Sequence, residues 1–104
     1  MSPEQWLDKP LDGRSDVYAM GVVLYEVLTG MLPFEGTSND RLMELHINQP
    51  APKISQAQPD LSEAWDEIVS KAMAKSPDER YDSAGALARD VQDLVSGRWF
   101  WRKL

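Results

Sequence analysis

The 104-residue sequence contains no cysteine. This absence excludes a disulfide framework, a thiolate metal site and a cysteine nucleophile. Long apolar runs are also missing, because the longest one, Val17 to Leu28, is interrupted by Glu26 and is too short to span a membrane. The N-terminus has no basic region followed by an apolar core, so no signal peptide is visible. The composition therefore predicts one small cytoplasmic domain.

Basic residues are scarce: 11 lysines and arginines stand against 17 acidic residues, a net charge of −6. Three of the basic residues (Arg98, Arg102 and Lys103) lie in the last seven residues, which contain no acid. The first 97 residues therefore carry eight basic and 17 acidic side chains, a net charge of −9. Such a surface repels a phosphate backbone, and we expect no nucleic-acid partner. Three charges also make a weak membrane anchor, so we expect the tail to pack on the protein or to begin a linker.

Groups that could form a familiar active centre are few. His46 is the single histidine, and its isolation predicts a partly exposed helical residue rather than a catalytic base or a metal ligand. The glycines are too dispersed to form a phosphate-binding loop. Asp66-Glu67 and Asp78-Glu79 are better explained as acids at helix N-termini than as catalytic pairs. The residues by themselves predict no catalytic, cofactor-binding or metal-ligating group in this chain.

Helical periodicity dominates, and no segment alternates long enough to predict a strand. Ser2-Pro3-Glu4-Gln5 forms a capping-box pattern that predicts a short helix ending near Leu7. Ser15 is a candidate cap for a second helix over 16–29, and Gly30 would end that helix in a left-handed conformation. This second helix is apolar around most of its circumference, so it should have neighbours on several sides.

Further helices are predicted over 39–47 and 62–75, and the second of these has an apolar stripe without a gap. A capping box at Ser76 predicts one helical turn, and a last helix should begin after Asp82 or Ser83 and stop at Gly97. A proline-punctuated irregular connection separates the third helix from the fourth. The sequence therefore predicts an all-α bundle of about five short helices.

Four segments together resemble a known family. Met1-Ser2-Pro3-Glu4 is similar to the Ala/Ser-Pro-Glu motif that closes the activation segment of eukaryotic-type (Hanks-type) protein kinases. Residues 12–22 (DGRSDVYAMGV) resemble the start of the central F helix of that family, and 28–34 (LTGMLPF) resemble the loop that follows it. Residues 75–81 (KSPDERY) resemble the segment that carries the late arginine of the family. The likeness is greatest to bacterial serine/threonine kinases and covers residues 1 to about 96.

The resemblance implies a fold equivalent to the lower part of a kinase C-lobe, with a partial kinase domain over 1–96 and a basic aromatic tail over 97–104. It implies a structural ion pair between Glu4 and Arg80. In the complete parent, Asp16 would anchor the catalytic loop. The segment Met1, Ser2, Pro3 and Glu4 would lie beside the substrate residue that follows the phosphoacceptor, and the helix over 39–47 would form part of a docking surface.

In this family the ATP site, the catalytic loop and the magnesium-binding Asp precede the Pro-Glu motif. We therefore expect a truncated signalling kinase fragment that needs no cofactor and is inactive alone, whereas the parent uses ATP and Mg²⁺ to phosphorylate protein Ser/Thr. The parent could be anchored in a membrane through a region beyond residue 104. The apolar second helix should bind either the missing kinase half or a second copy. The alternative is a free-standing, non-catalytic helical interaction module derived from a kinase C-lobe.

Overall fold

A computed structural model describes residues 2–7, 13–36 and 38–99. These residues form six α-helices and one 3-10 turn and contain no strand, which confirms the predicted all-α class. The helices are α1 (Pro3–Trp6), α2 (Gly13–Thr29), α3 (Asn39–Asn48), α4 (Ile54–Ala57), α5 (Ala64–Ala72) and α6 (Ala84–Ser96), and the 3-10 turn is Pro77–Glu79. Met1 and the end of the predicted tail, 100–104, lie outside the described residues. Within the described part of the chain, no helix has the length and apolarity that crossing a bilayer would require.

The first two helices begin differently from each other. α1 has the predicted capping box, in which the backbone N–H of Ser2 donates to Gln5 Oε1 at 2.7 Å. α2 begins at Gly13, three residues before the predicted start, so Ser15 lies inside the helix and the prediction that it is a cap was wrong. The Ser15 hydroxyl instead donates to Glu4, an acceptor that only the tertiary structure provides. Gly30 (φ 74°) follows the last residue of α2, as predicted.

α2 is the central helix, and it packs against α4, α5 and α6. The closest approach to α5 is at Gly21, where an added Cβ would lie 2.9 Å from both Ala72 Cβ and Met73 Cγ. Two apolar clusters surround α2. The first joins it to α5 and α6 and contains Val17, Ile68, Ala72, Tyr81, Leu87 and Trp99. The second faces α3 and α4 and contains Tyr18, Tyr25, Phe34, Ile54, Val69 and Met73.

The proline-punctuated connection contains α4, which the sequence did not predict. Asp66 Oδ1 accepts from the backbone N–H groups of Ile54 (2.5 Å) and Ser55 (3.2 Å), and Asp66 Oδ2 accepts from the Ser55 hydroxyl (2.6 Å). A carboxylate on α5 thus supplies the acceptor that the first turn of α4 lacks locally. The short helix therefore depends on a residue that is distant in the sequence.

The last two elements show one wrong capping prediction and one confirmed one. The predicted single helical turn after Ser76 is present as the 3-10 turn, but the predicted capping box is wrong, because the Ser76 side chain makes no capping hydrogen bond. α6 agrees with its prediction. Ser83 Oγ accepts from the Ala86 N–H at 3.1 Å, and Gly97 ends the helix with φ 85°.

Candidate functional site

A buried ion pair joins α1 to the segment that follows α5. Arg80 Nη1 donates to Glu4 Oε2 at 2.5 Å and Arg80 Nη2 donates to Glu4 Oε1 at 2.8 Å, so the contact is bidentate. Glu4 is 4% exposed and Arg80 is 3% exposed. A planar guanidinium matched to a carboxylate in this way is a strong, directional contact. It fixes α1 to the segment that follows α5.

The rest of the Arg80 guanidinium is satisfied by backbone carbonyl groups. Arg80 Nε donates to the Ala74 carbonyl at 2.7 Å, Nη1 to the Arg14 carbonyl at 3.1 Å, and Nη2 to the Lys75 carbonyl at 3.2 Å. A buried cation is tolerated when its donors are paired in this way. Arg80 therefore binds three separate segments of the chain: α1, the first turn of α2, and the loop after α5.

The Glu4 carboxylate is held in its ionised form. Burial by itself raises the pKa of Glu4, but the hydrogen bonds from Arg80 and from the Ser15 hydroxyl (2.6 Å) outweigh it and lower the pKa to about 2. The pair is therefore fully charged near neutral pH.

A second set of buried groups lies directly beside this pair. The Arg80 guanidinium carbon is 4.9 Å from the centre of the Tyr18 ring, and Tyr18 Oη is 2.7 Å from His46 Nδ1. The edge of Phe34 meets the His46 ring at 5.0 Å between centroids, and Trp6 stacks on it at 6.4 Å. His46 is 8% exposed, so the prediction of a partly exposed residue was wrong. Burial lowers the pKa of His46 to about 4.

Lys75 holds the last turn of α3. Its Nζ donates to the carbonyl groups of Leu45 (3.3 Å) and His46 (2.9 Å) and lies 4.8 Å from the centre of the Phe34 ring. A cation at this position also complements the helix dipole. Burial lowers the pKa of Lys75 to about 8. Nearby, Trp6 Nε1 is buried and has no hydrogen-bond partner among the described residues.

The other predicted site residues are placed as follows. Ser2 and Pro3 are buried at the start of α1, beside Glu4, and Met1 lies outside the described residues. Asp16 is exposed in the first turn of α2.

Sequence reasoning did not find the contact between Tyr18 and His46. A signal for the burial of His46 was present, since helical spacing places it on the same face of α3 as Leu42, but no local signal pointed to Tyr18 as its partner.

An apolar groove of about 700 Å³ runs between α2 and α6. Its lining contains no charged side chain: Ala19, Met20, Val23, Leu24, Val27, Leu87, Ala88, Val91, Gln92, Val95 and Ser96. Val23 is 57% exposed, and Val27 and Val95 are each 74% exposed. Exposed apolar side chains gathered in one groove are typical of a surface that a partner covers.

Comparison with known proteins agrees with this geometry. Residues 1–100 match the protein kinase domain family. The chain is 44% identical over 98 residues to a probable serine/threonine-protein kinase of Corynebacterium efficiens, an alignment that covers 90% of this chain and 15% of the relative. It is 41% identical over 97 residues to the probable serine/threonine-protein kinase PknB of Bifidobacterium longum, covering 93% of this chain and 14% of the relative.

A third relative is the serine/threonine-protein kinase PknH of Mycobacterium tuberculosis, which is 38% identical over 96 residues, covering 92% of this chain and 15% of the relative. The chain thus spans about one seventh of the length of these curated relatives. The family match over residues 1–100 covers the described helices and both residues of the buried ion pair. The chain belongs to the protein kinase domain family, and its relatives are bacterial serine/threonine kinases.

Proposed function

We propose that this chain is the substrate-side scaffold of a serine/threonine protein kinase and that it transfers no phosphate by itself. The observation that carries the proposal is the buried, bidentate contact between Glu4 and Arg80. The contact locks the Ser-Pro-Glu segment onto the helices that follow. In a complete kinase, Met1, Ser2 and Pro3 would then be held beside the bound protein substrate.

The complete kinase would supply the reactive groups. Phosphoryl transfer by protein kinases uses a glycine-rich loop and a lysine over the ATP phosphates, together with Asp and Asn side chains that hold Mg²⁺ and orient the substrate hydroxyl. Residues 1–104 contain none of these motifs. ATP and Mg²⁺ would therefore bind outside residues 1–104, and Asp16 would anchor the catalytic loop from the first turn of α2.

We further propose that the groove between α2 and α6 binds the remaining part of the kinase domain. Val23, Val27 and Val95 are exposed in this chain, and the groove has no charged side chain in its lining. An apolar helix laid into such a groove would bury these side chains and gain about 25 cal/mol for each Å² of apolar surface. The groove thus explains how a reactive part and a scaffold part could form one domain.

A chimeric kinase tests this function. Residues 1–96 would replace the corresponding segment of the Corynebacterium efficiens kinase, and transfer of labelled phosphate from ATP to a protein substrate would be measured. We expect the chimera to be active, the isolated chain to be inactive, and Glu4→Gln in the chimera to lower activity at least tenfold. Glu35→Gln, at an exposed position, is the matched control and should keep full activity. A chimera that folds but is inactive, or a Glu4→Gln chimera with full activity, would contradict the proposal.

The same groove favours a second candidate function, a non-catalytic interaction module that covers the groove by self-association. Sedimentation velocity at micromolar concentration distinguishes the two. The module predicts a dimer that Val27→Glu converts to a monomer, while Ser70→Glu, at an exposed position outside the groove, leaves the dimer intact. A well-folded monomer would exclude self-association and leave the kinase scaffold as the function.

A further inference from the structure

We propose that the hydrogen bond between Tyr18 and His46 sets the position of α3, so that His46 is a positioning residue that joins α3 to the buried Glu4–Arg80 pair. The proposal concerns this chain alone and does not depend on the proposed function. The first supporting observation is that a polar ring is buried: His46 is the single buried residue of α3.

Three different segments converge on the His46 ring: Trp6 comes from α1, Tyr18 from α2, and Phe34 from the loop after α2. Ring contacts of this kind fill space, and they allow more than one ring arrangement, offset-stacked or edge-to-face. The contact between Tyr18 Oη and His46 Nδ1, at 2.7 Å, is directional and restricts the rotation of α3 more narrowly. The hydrogen bond therefore selects the orientation that apolar packing leaves open.

The chemistry of the two groups favours one direction for this hydrogen bond. Burial raises the pKa of Tyr18, so its phenol stays protonated across the neutral range and can donate. Burial also keeps His46 neutral there, and a neutral imidazole has one unprotonated nitrogen that can accept. We assign Nδ1 as that acceptor, which places the ring proton on Nε2.

Tyr18 and Lys75 each connect α3 to the Glu4–Arg80 pair. Tyr18, whose hydroxyl donates to His46, also places its ring against the Arg80 guanidinium, 4.9 Å from the ring centre to the guanidinium carbon. Lys75 accepts from Arg80 through its carbonyl and donates through Nζ to the last carbonyl groups of α3. Displacing Arg80 would therefore disturb both supports of α3. A rotated α3 would move its exposed charged face, which carries Asp40, Arg41 and Glu44.

The first test uses the fact that His46 is the single histidine. In ¹⁵N-labelled protein, its two ring nitrogens give unambiguous NMR signals. We expect an unprotonated Nδ1 and a protonated Nε2 at pH 7. Tyr18→Phe keeps the ring against Arg80 but removes the hydroxyl, and should shift the Nδ1 signal toward a mixture of tautomers. A protonated Nδ1 in the wild type, or signals unchanged in the variant, would overturn the proposal.

The second test measures amide hydrogen exchange. Tyr18→Phe should increase exchange in α3 by about fivefold, the size expected for one lost hydrogen bond, and leave α6 unchanged. His46→Gln places an acceptor at the same site and should recover part of the protection, while His46→Leu fills the space without an acceptor and should not. Equal exchange in the Gln and Leu variants would overturn the proposal. If Tyr18→Phe does not fold, the Gln and Leu pair decides the question.

A control separates positioning from general loss of stability. Ile68→Val removes one methylene group from the first apolar cluster, away from His46. It should increase exchange throughout the protein with no preference for α3. Selective exchange of α3 in this control as well would mean that α3 is simply the least stable helix, and the proposal would fail.

Discussion

The energetics of single residues centre on the buried charge of Arg80. Its guanidinium is paired with one carboxylate and three carbonyl groups from segments far apart in the sequence. Removing one partner leaves the other charge buried without compensation, which costs more than the intact pair contributes. Loss of either side chain should therefore have a larger effect than loss of any exposed ion pair in the described chain, such as Arg41–Glu44.

We predict that Glu4→Ala lowers the free energy of unfolding by about 3–5 kcal/mol, because it leaves Arg80 buried and unpaired. Urea unfolding followed by circular dichroism measures this. Glu44→Ala breaks an exposed pair and serves as control, with an expected change below about 1 kcal/mol. Similar losses in the two variants would show that burial does not strengthen the Glu4–Arg80 contact.

His46 and Glu4 each make the free energy of unfolding depend on pH. The folded pKa of His46 is about 4, below its ordinary value of 6.5, so the unfolded state takes up a proton first as the pH falls. The stabilisation that comes from burying neutral His46 is fully present above pH 6.5. It is lost between pH 6.5 and 4, where the free energy of unfolding falls by about 3 kcal/mol. The folded pKa of Glu4 is about 2 against 4.5, so its contribution is lost between pH 4.5 and 2.

Unfolding free energies measured from pH 8 to pH 3 test this assignment. The wild type should lose stability in two steps, and His46→Gln should remove the step between pH 6.5 and 4 while keeping the one below pH 4.5. A variant that retains the upper step would show that another group titrates there.

At the scale of elements, the close packing of α2 on α5 depends on a missing side chain. Replacing a helical glycine by alanine ordinarily stabilises a helix by roughly 1 kcal/mol. At Gly21 the added Cβ would lie 2.9 Å from Ala72 Cβ, an atom that cannot move without its backbone. The steric cost should therefore exceed the gain in helix propensity.

We predict that Gly21→Ala lowers the thermal unfolding midpoint, at a cost of about 1–3 kcal/mol. Gly13→Ala is the matched control, since an added Cβ meets no atom within 4 Å there, and it should leave the midpoint unchanged or raise it. A Gly21→Ala midpoint equal to that of the control would show that α2 and α5 can separate at little cost.

At the scale of the whole molecule, the groove between α2 and α6 determines how this chain relates to a larger protein. Val27 is 74% exposed, so Val27→Glu should change the unfolding free energy of the isolated chain by less than about 0.5 kcal/mol. In the chimeric kinase the same charge would be buried against an apolar partner, and the thermal midpoint should fall by several degrees. Equal effects in both proteins would mean that the groove stays open to solvent.

The sequence by itself determined the all-α class, the stop of α6 at Gly97 with its cap limited to Asp82 or Ser83, and the motifs that link the chain to kinases. These features depend on residues a few positions apart, so capping groups and helical periodicity suffice to predict them. Only the tertiary structure decided the burial of His46 and the formation of α4, whose first turn is hydrogen-bonded to Asp66. In both cases the stabilising partner lies twelve or more residues away, and local pattern cannot specify which distant groups the folded chain brings together.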